Sequence, residues 1–149
     1  MKKSLMTVIT PVEDFTKRFS KFLRLTRVTA YCMRFINNCR QPREARETTT
    51  LTTQELDHAL MCCVRCVQQN SYFQEIQDLT DNQEVSSSST LKTLHPFLDQ
   101  KGILRVGGRL QQSELSYQTM HQIILPPNCH LTKLSPLNIT GCITSAHNC

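Results

Sequence analysis

The stretch Leu94-His95-Pro96-Phe97-Leu98-Asp99-Gln100-Lys101-Gly102-Ile103-Leu104-Arg105-Val106-Gly107-Gly108-Arg109-Leu110 decides the fold class. Two short apolar runs flank the turn Asp99-Gln100-Lys101-Gly102, and a four-residue loop ending in glycine suits a β-hairpin. Ile103, Leu104 and Val106 favour extended backbone. Gly107-Gly108 permits positive φ or a close backbone approach. Arg105 and Arg109 read as two exposed cations. Glycines beside arginines raise the question of a phosphate loop. No G-x-x-x-x-G-K-[ST] follows and no G-x-G-x-x-G is present, so a plain strand and turn is the better reading.

Upstream the periodicity is helical. Thr10-Pro11-Val12-Glu13 has the form of a helix start, with a capping threonine, proline at the first helical position and a glutamate that completes a capping box. Phe15, Phe19, Phe22, Leu25, Val28, Cys32, Phe35 and Cys39 recur at three- and four-residue steps and mark one apolar face. The spacing predicts a helix over 11–39, with Ser20 and Thr29 as points where it can break into two. Residues 40–50 are polar and read as a connection. The second helix has the clearest start. Thr52 is the N-cap, Glu55 stands three residues on, and Leu51 and Leu56 occupy the hydrophobic-staple positions. Leu56, Leu60, Cys63, Val67, Phe73 and Ile76 carry it over 53–79.

The expected architecture is therefore α+β: two N-terminal amphipathic helices, a small antiparallel hairpin region, and an irregular C-terminal tail. A helical region at 11–79 is followed by a Ser-rich linker at 80–90 and a small β region at 91–127. Ile123-Ile124-Leu125 is the third extended piece, stopped by Pro126-Pro127. Such short strands need a neighbour to be stable.

At 149 residues the chain is at most one domain. Its 39% hydrophobic content, with no tryptophan, allows only a modest core. No apolar run approaches the roughly 20 residues that span a bilayer, and Leu5-Met6-Thr7-Val8-Ile9 is short for a signal peptide. An intracellular chain, cytoplasmic or nuclear, with reduced thiols and no membrane partner is expected. Charge is uneven. Residues 1–46 hold eleven Lys/Arg against three Asp/Glu, and residues 47–149 hold six against nine. A basic first third suits RNA or DNA through counterion release, or is simply a solvated helix face. The nucleic-acid candidates are Lys17, Arg18, Lys21, Arg24, Arg27 and Arg34. They imply phosphate contacts without base reading. Tyr31 and the phenylalanines stand mostly at core spacing rather than as stacking platforms.

Eight cysteines and five histidines raise a metal reading. His58, Cys62 and Cys66 share a helix stripe, and Cys63-Val64-Arg65-Cys66 is one C-x-x-C. Structural zinc takes four ligands, usually as two short pairs, and no second pair exists. Buried reduced cysteine is also an ordinary core residue. No nucleophile–base set or carboxylate pair stands out, and Asp99 belongs to the hairpin turn. The expectation is a protein without catalytic residues, cofactor or metal. Two alternatives remain: an autonomous basic nucleic-acid-binding module, and a thiol or metal protein using the Cys62–Cys66 cluster.

Five segments in order carry a family resemblance: Arg18-Phe19-Ser20 with Leu25–Ile36; Leu51–Leu56; Pro96–Leu110; His121–Pro126; and His130-Leu131-Thr132-Lys133-Leu134. Together they resemble the polyprotein of BEL/Pao-type LTR retrotransposons, between the reverse transcriptase/RNase H part and the integrase. The resemblance implies a non-catalytic connector whose intact parent carries out reverse transcription and DNA integration. Its partners would be those neighbouring modules, with Arg105 and Arg109 at a module interface. It also makes 128–149 the truncated, unfolded start of an integrase zinc-binding domain, with zinc expected only in the intact parent. The family's His-x4-His pair and later C-x-x-C do not follow Leu134, and Pro136 interrupts the helix that would carry them. A one-nucleotide change of frame near residue 134 is the expected cause.

Overall fold

The long helices come before the first strand, and the fold is α+β. The computed structural model describes residues 15–82, 84–107, 120–127, 129–134 and 142–144. Helix α1 spans Phe22–Cys39, α2 Thr53–Ser71, α3 Phe73–Asn82 and α4 His130–Leu134. Strands β1 (Pro96–Leu98), β2 (Leu104–Val106), β3 (Ile123–Leu125) and β4 (Cys142–Thr144) form one sheet in the order β1-β2-β3-β4. The first three are antiparallel, with Leu98 opposite Leu104 and Arg105 opposite Ile123. β4 joins β3 in parallel.

The first helix does not run unbroken over 11–39 but divides at Ser20, one of the two break points read from the sequence. A helical turn at 15–17 is separated from α1 by Lys21 in extended conformation, φ −128° and ψ 127°. Tertiary bonding explains the break. The Phe19 carbonyl lies 2.8 Å from His130 Nε2, and Phe15 and Phe19 meet edge to face at 5.1 Å while packing on the core. The cap read at Thr10–Glu13 lies outside the described residues.

The buried face of α1 is also rotated from the one expected. Leu25, Thr26, Ala30 and Arg34 are buried, whereas Cys32, Phe35 and Cys39 are exposed. Mixed three- and four-residue steps drift around a 3.6-residue helix. The apolar row therefore starts on the core and ends in solvent.

The second helix is two. Its capping box forms as read, with Thr52 Oγ1 accepting from Glu55 N and Glu55 Oε2 accepting from Thr52 N. α2 stops at Tyr72, whose ψ of 36° departs from helical geometry, and α3 continues to Asn82. The bend lets Tyr72 and Leu79 reach a second cluster. The Ser-rich connection is pinned rather than loose. Val85 is buried, and Ser89 Oγ donates to Glu75 and accepts from Leu91 N.

The sheet is covered on both faces, which accounts for the unbroken apolar run Ile123-Ile124-Leu125. Ile103, Ile123 and Leu125 pack with Leu25, Val64, Val67 and Leu131 on one side. Leu104 and Ile124 pack with Tyr72, Leu79 and Leu91 on the other. Each such fully buried aliphatic side chain contributes about 1.5–3 kcal/mol. Of the tail read as irregular and unfolded, the described residues supply α4, whose Leu131 is buried, and β4. α4 lies in the crossover that a parallel β3–β4 pair requires.

Candidate functional site

Three polar clusters hold these elements together. The first is built on Arg34. Its guanidinium forks onto Glu55, Nε to Oε1 at 2.7 Å and Nη2 to Oε2 at 2.5 Å. It also donates to the carbonyls of Thr49 and Thr50. The Arg34 hydrogen bond, helped by the Thr52 N–H, holds the Glu55 carboxyl at about 2, far below its ordinary 4.5. Arg34 is 9% exposed. It fastens α1 to the start of α2 and is not a surface cation, which removes it from the expected nucleic-acid set.

The second cluster is in the hairpin. Asp99 Oδ1 accepts from Lys101 N and Ile103 N, and Oδ2 accepts from Arg105 Nε at 2.6 Å. Burial pushes the Asp99 carboxyl up, but Arg105 and the two backbone N–H groups outweigh it and leave it lowered. Arg105 Nη1 also donates to the His121 carbonyl at 2.8 Å. Arg105 is 7% exposed, which corrects its reading as an outward cation poised at a module interface. Arg109 lies outside the described residues. Gly107 is the close-approach glycine: a Cβ there would stand 2.3 Å from the His95 carbonyl oxygen. Gly102 takes the left-handed turn position at φ +70°.

The third cluster was not singled out from sequence. Gln68 is fully buried. Its Nε2 donates to the Leu104 carbonyl at 2.8 Å and the Ile124 carbonyl at 2.7 Å, and its Oε1 accepts from Leu104 N at 2.9 Å. β2 and β3 register only at Arg105–Ile123. On the Leu104 side of that pair the side-chain amide bridges the two strands, and on the other side Val106 N donates to the Gln122 carbonyl at 2.9 Å. The available signal was a glutamine directly after Val67 and four residues beyond Val64, beside the apolar stripe.

Of the remaining candidates, Lys17, Arg18, Lys21, Arg24 and Arg27 are exposed. Cys62 and Cys66 are half-buried one turn apart on α2. Hydrogen bonding from Cys66 lowers the Cys62 thiol, against burial and with Arg65 assisting, while the same bond and burial push Cys66 up. Cys62 shares a cavity of about 320 Å³ with Met33, His58, Met61, Arg65 and Lys101. Among the described residues, no three His, Cys, Asp or Glu side chains are placed to hold a metal ion. No helix among them is long and apolar enough to cross a membrane. No protein-family model, curated protein or solved structure matches the chain.

Proposed function

We propose that this chain is a non-catalytic connector from a BEL/Pao-type retrotransposon polyprotein, standing between the reverse transcriptase/RNase H part and the integrase zinc-binding region. One observation carries the reading: segments that resemble that family, far apart in sequence, are each other's partners in space. Arg34 of the Leu25–Ile36 segment holds Glu55 of Leu51–Leu56. Arg105 of Pro96–Leu110 donates to His121 of His121–Pro126. His130 of the last segment meets Phe19 of the first. Segments that fold together as one unit make such contacts, which supports reading the five as one signature.

The same bonds support a structural role. Arg105 and Asp99 close a hairpin, and Arg34 and Glu55 close a helix junction. Side chains satisfied in this way hold elements in register. The partners of such a connector are the flanking modules, and zinc belongs to the integrase domain of the intact parent.

The test is the nucleotide sequence around the gene. Reverse transcriptase and integrase reading frames should flank it in the same orientation. A second frame after codon 134 should encode the missing histidine pair. If several kilobases on both sides carry neither module, the reading is wrong.

A further inference from the structure

Residues 15–43 hold eight Lys/Arg and no Asp/Glu. Arg34 is internal, and Lys21, Arg24 and Arg27 stand exposed on and beside α1. The helix places something else among them. Arg24, Arg27, Tyr31 and Phe35 follow steps of three, four and four, so they form one stripe along α1. Tyr31 is 50% exposed and Phe35 68%. Leu25, Thr26, Ala30 and Arg34 complete the core from another side of the helix. The two rings are therefore surplus to folding.

Charge decides what fits this stripe. An apolar protein groove would accept the rings but leave the cations desolvated and unpaired. A polyanion pairs the cations, and one with flat unsaturated groups also covers the rings. Base stacking on aromatic side chains beside a basic track is how single strands are held without regard to sequence. A duplex keeps its base faces stacked internally and offers the rings nothing. Tyr31 and Phe35 lie about 6 Å apart along the axis, one ring for each of two neighbouring splayed bases.

We propose that the outer stripe of α1 binds single-stranded nucleic acid, with Lys21, Arg24 and Arg27 on phosphates and Tyr31 and Phe35 stacked under bases. The sequence reading set these rings aside as core, and their exposure reverses that. The site stands on this surface alone and does not need the polyprotein origin. Genomic flanks test the origin, and binding tests the site.

The experiment is fluorescence anisotropy of the full chain with a labelled 20-nucleotide oligo-dT and with a duplex of equal length, over a salt series. The single strand should bind at least about tenfold more tightly than the duplex. Tyr31→Ala with Phe35→Ala should weaken it about tenfold per ring. Tyr31→Phe with Phe35→Tyr should retain binding. Arg24→Ala with Arg27→Ala should flatten the plot of log affinity against log salt by about 1.4, two phosphates' worth for a single strand. All are exposed positions, so an unchanged melting temperature accompanies each result. Equal affinity for the duplex, or indifference to loss of both rings, overturns the stacking site. Failure to bind either oligonucleotide at low salt overturns the proposal. So does self-association of the chain that Phe35→Ala abolishes while oligonucleotide binding is unchanged, which would make the rings a protein contact.

Discussion

Gln68 shows what one polar side chain does in a small core. It satisfies three backbone groups of two strands from inside a helix. A buried backbone group left without a partner costs about 1–3 kcal/mol, more than its hydrogen bond contributes when made. Gln68→Leu should therefore destabilise the protein by about 3 kcal/mol, measured by urea unfolding. The same change at exposed Gln69 should stay within about 0.5 kcal/mol. Equal effects would show that the amide is not holding the sheet. Glu55 gives a pH signature at the same scale. Its carboxyl titrates at about 2 in the folded chain against an ordinary 4.5. A lowered folded value stabilises the protein above pH 4.5, and that contribution is lost as pH falls toward 2. Unfolding followed from pH 6 to 2 should show a decline that Glu55→Gln makes shallower. An unaltered slope would mean that the Arg34 contact is not maintained in solution.

At the scale of the element, the hairpin is held by its turn and by one glycine. Asp99 caps the turn with two backbone bonds and an ion pair. Gly107 admits the His95 carbonyl, which accepts from its N–H at 3.0 Å. Gly102 and Gly107, the two described glycines of this region, resist a side chain for different reasons. At Gly102 the obstacle is φ of +70°, while Arg65 Cδ at 3.9 Å leaves room for a methyl group. Gly102→Ala should cost about 1 kcal/mol. At Gly107 the added atom would meet backbone at 2.3 Å, so Gly107→Ala should cost about 2 kcal/mol or more. Thermal melts of the two variants test the order, and a milder effect at Gly107 would contradict the close approach. Helix ends teach a complementary lesson. The start of α2 was legible because a capping box is a local device. At the start of α1 the sequence offered Ser20 and Thr29 as alternative breaks, and the one at Ser20 is taken because it gives Phe19 to the core and its carbonyl to His130.

For the whole molecule, the sheet is the shared wall of two clusters. α1, α2 and α4 cover one face, and α3 with the 85–94 segment covers the other. No boundary separates a helical half from a β half, since Gln68, Val64 and Val67 of α2 touch the strands. Calorimetry should record one unfolding transition, and far-UV circular dichroism should follow it at the same temperature. Two resolved transitions would divide the chain at the linker that composition marks near residue 85. The basic stripe and the sheet do not compete: α1 buries one side against α2 and leaves the other to solvent.

Local chemistry was readable from residues alone. Thr52 with Glu55 announced a helix, Asp99 with Gly102 announced a hairpin turn, and Ile123-Ile124-Leu125 announced a strand, because each depends on neighbours within a few positions. The placing of the long helices ahead of the first strand, and so the α+β class, followed. Which side of α1 meets the core depended on where α2 and α4 lie. That decided whether Arg34 is a clamp or a surface cation, and whether Phe35 is core or exposed. Arg105 was read as outward because its partners, Asp99 and the His121 carbonyl, are assembled only when the strands pair. Periodicity ranks the faces of a helix by hydrophobicity, but burial and charge pairing are fixed by what packs against each face, and only the tertiary structure contains that.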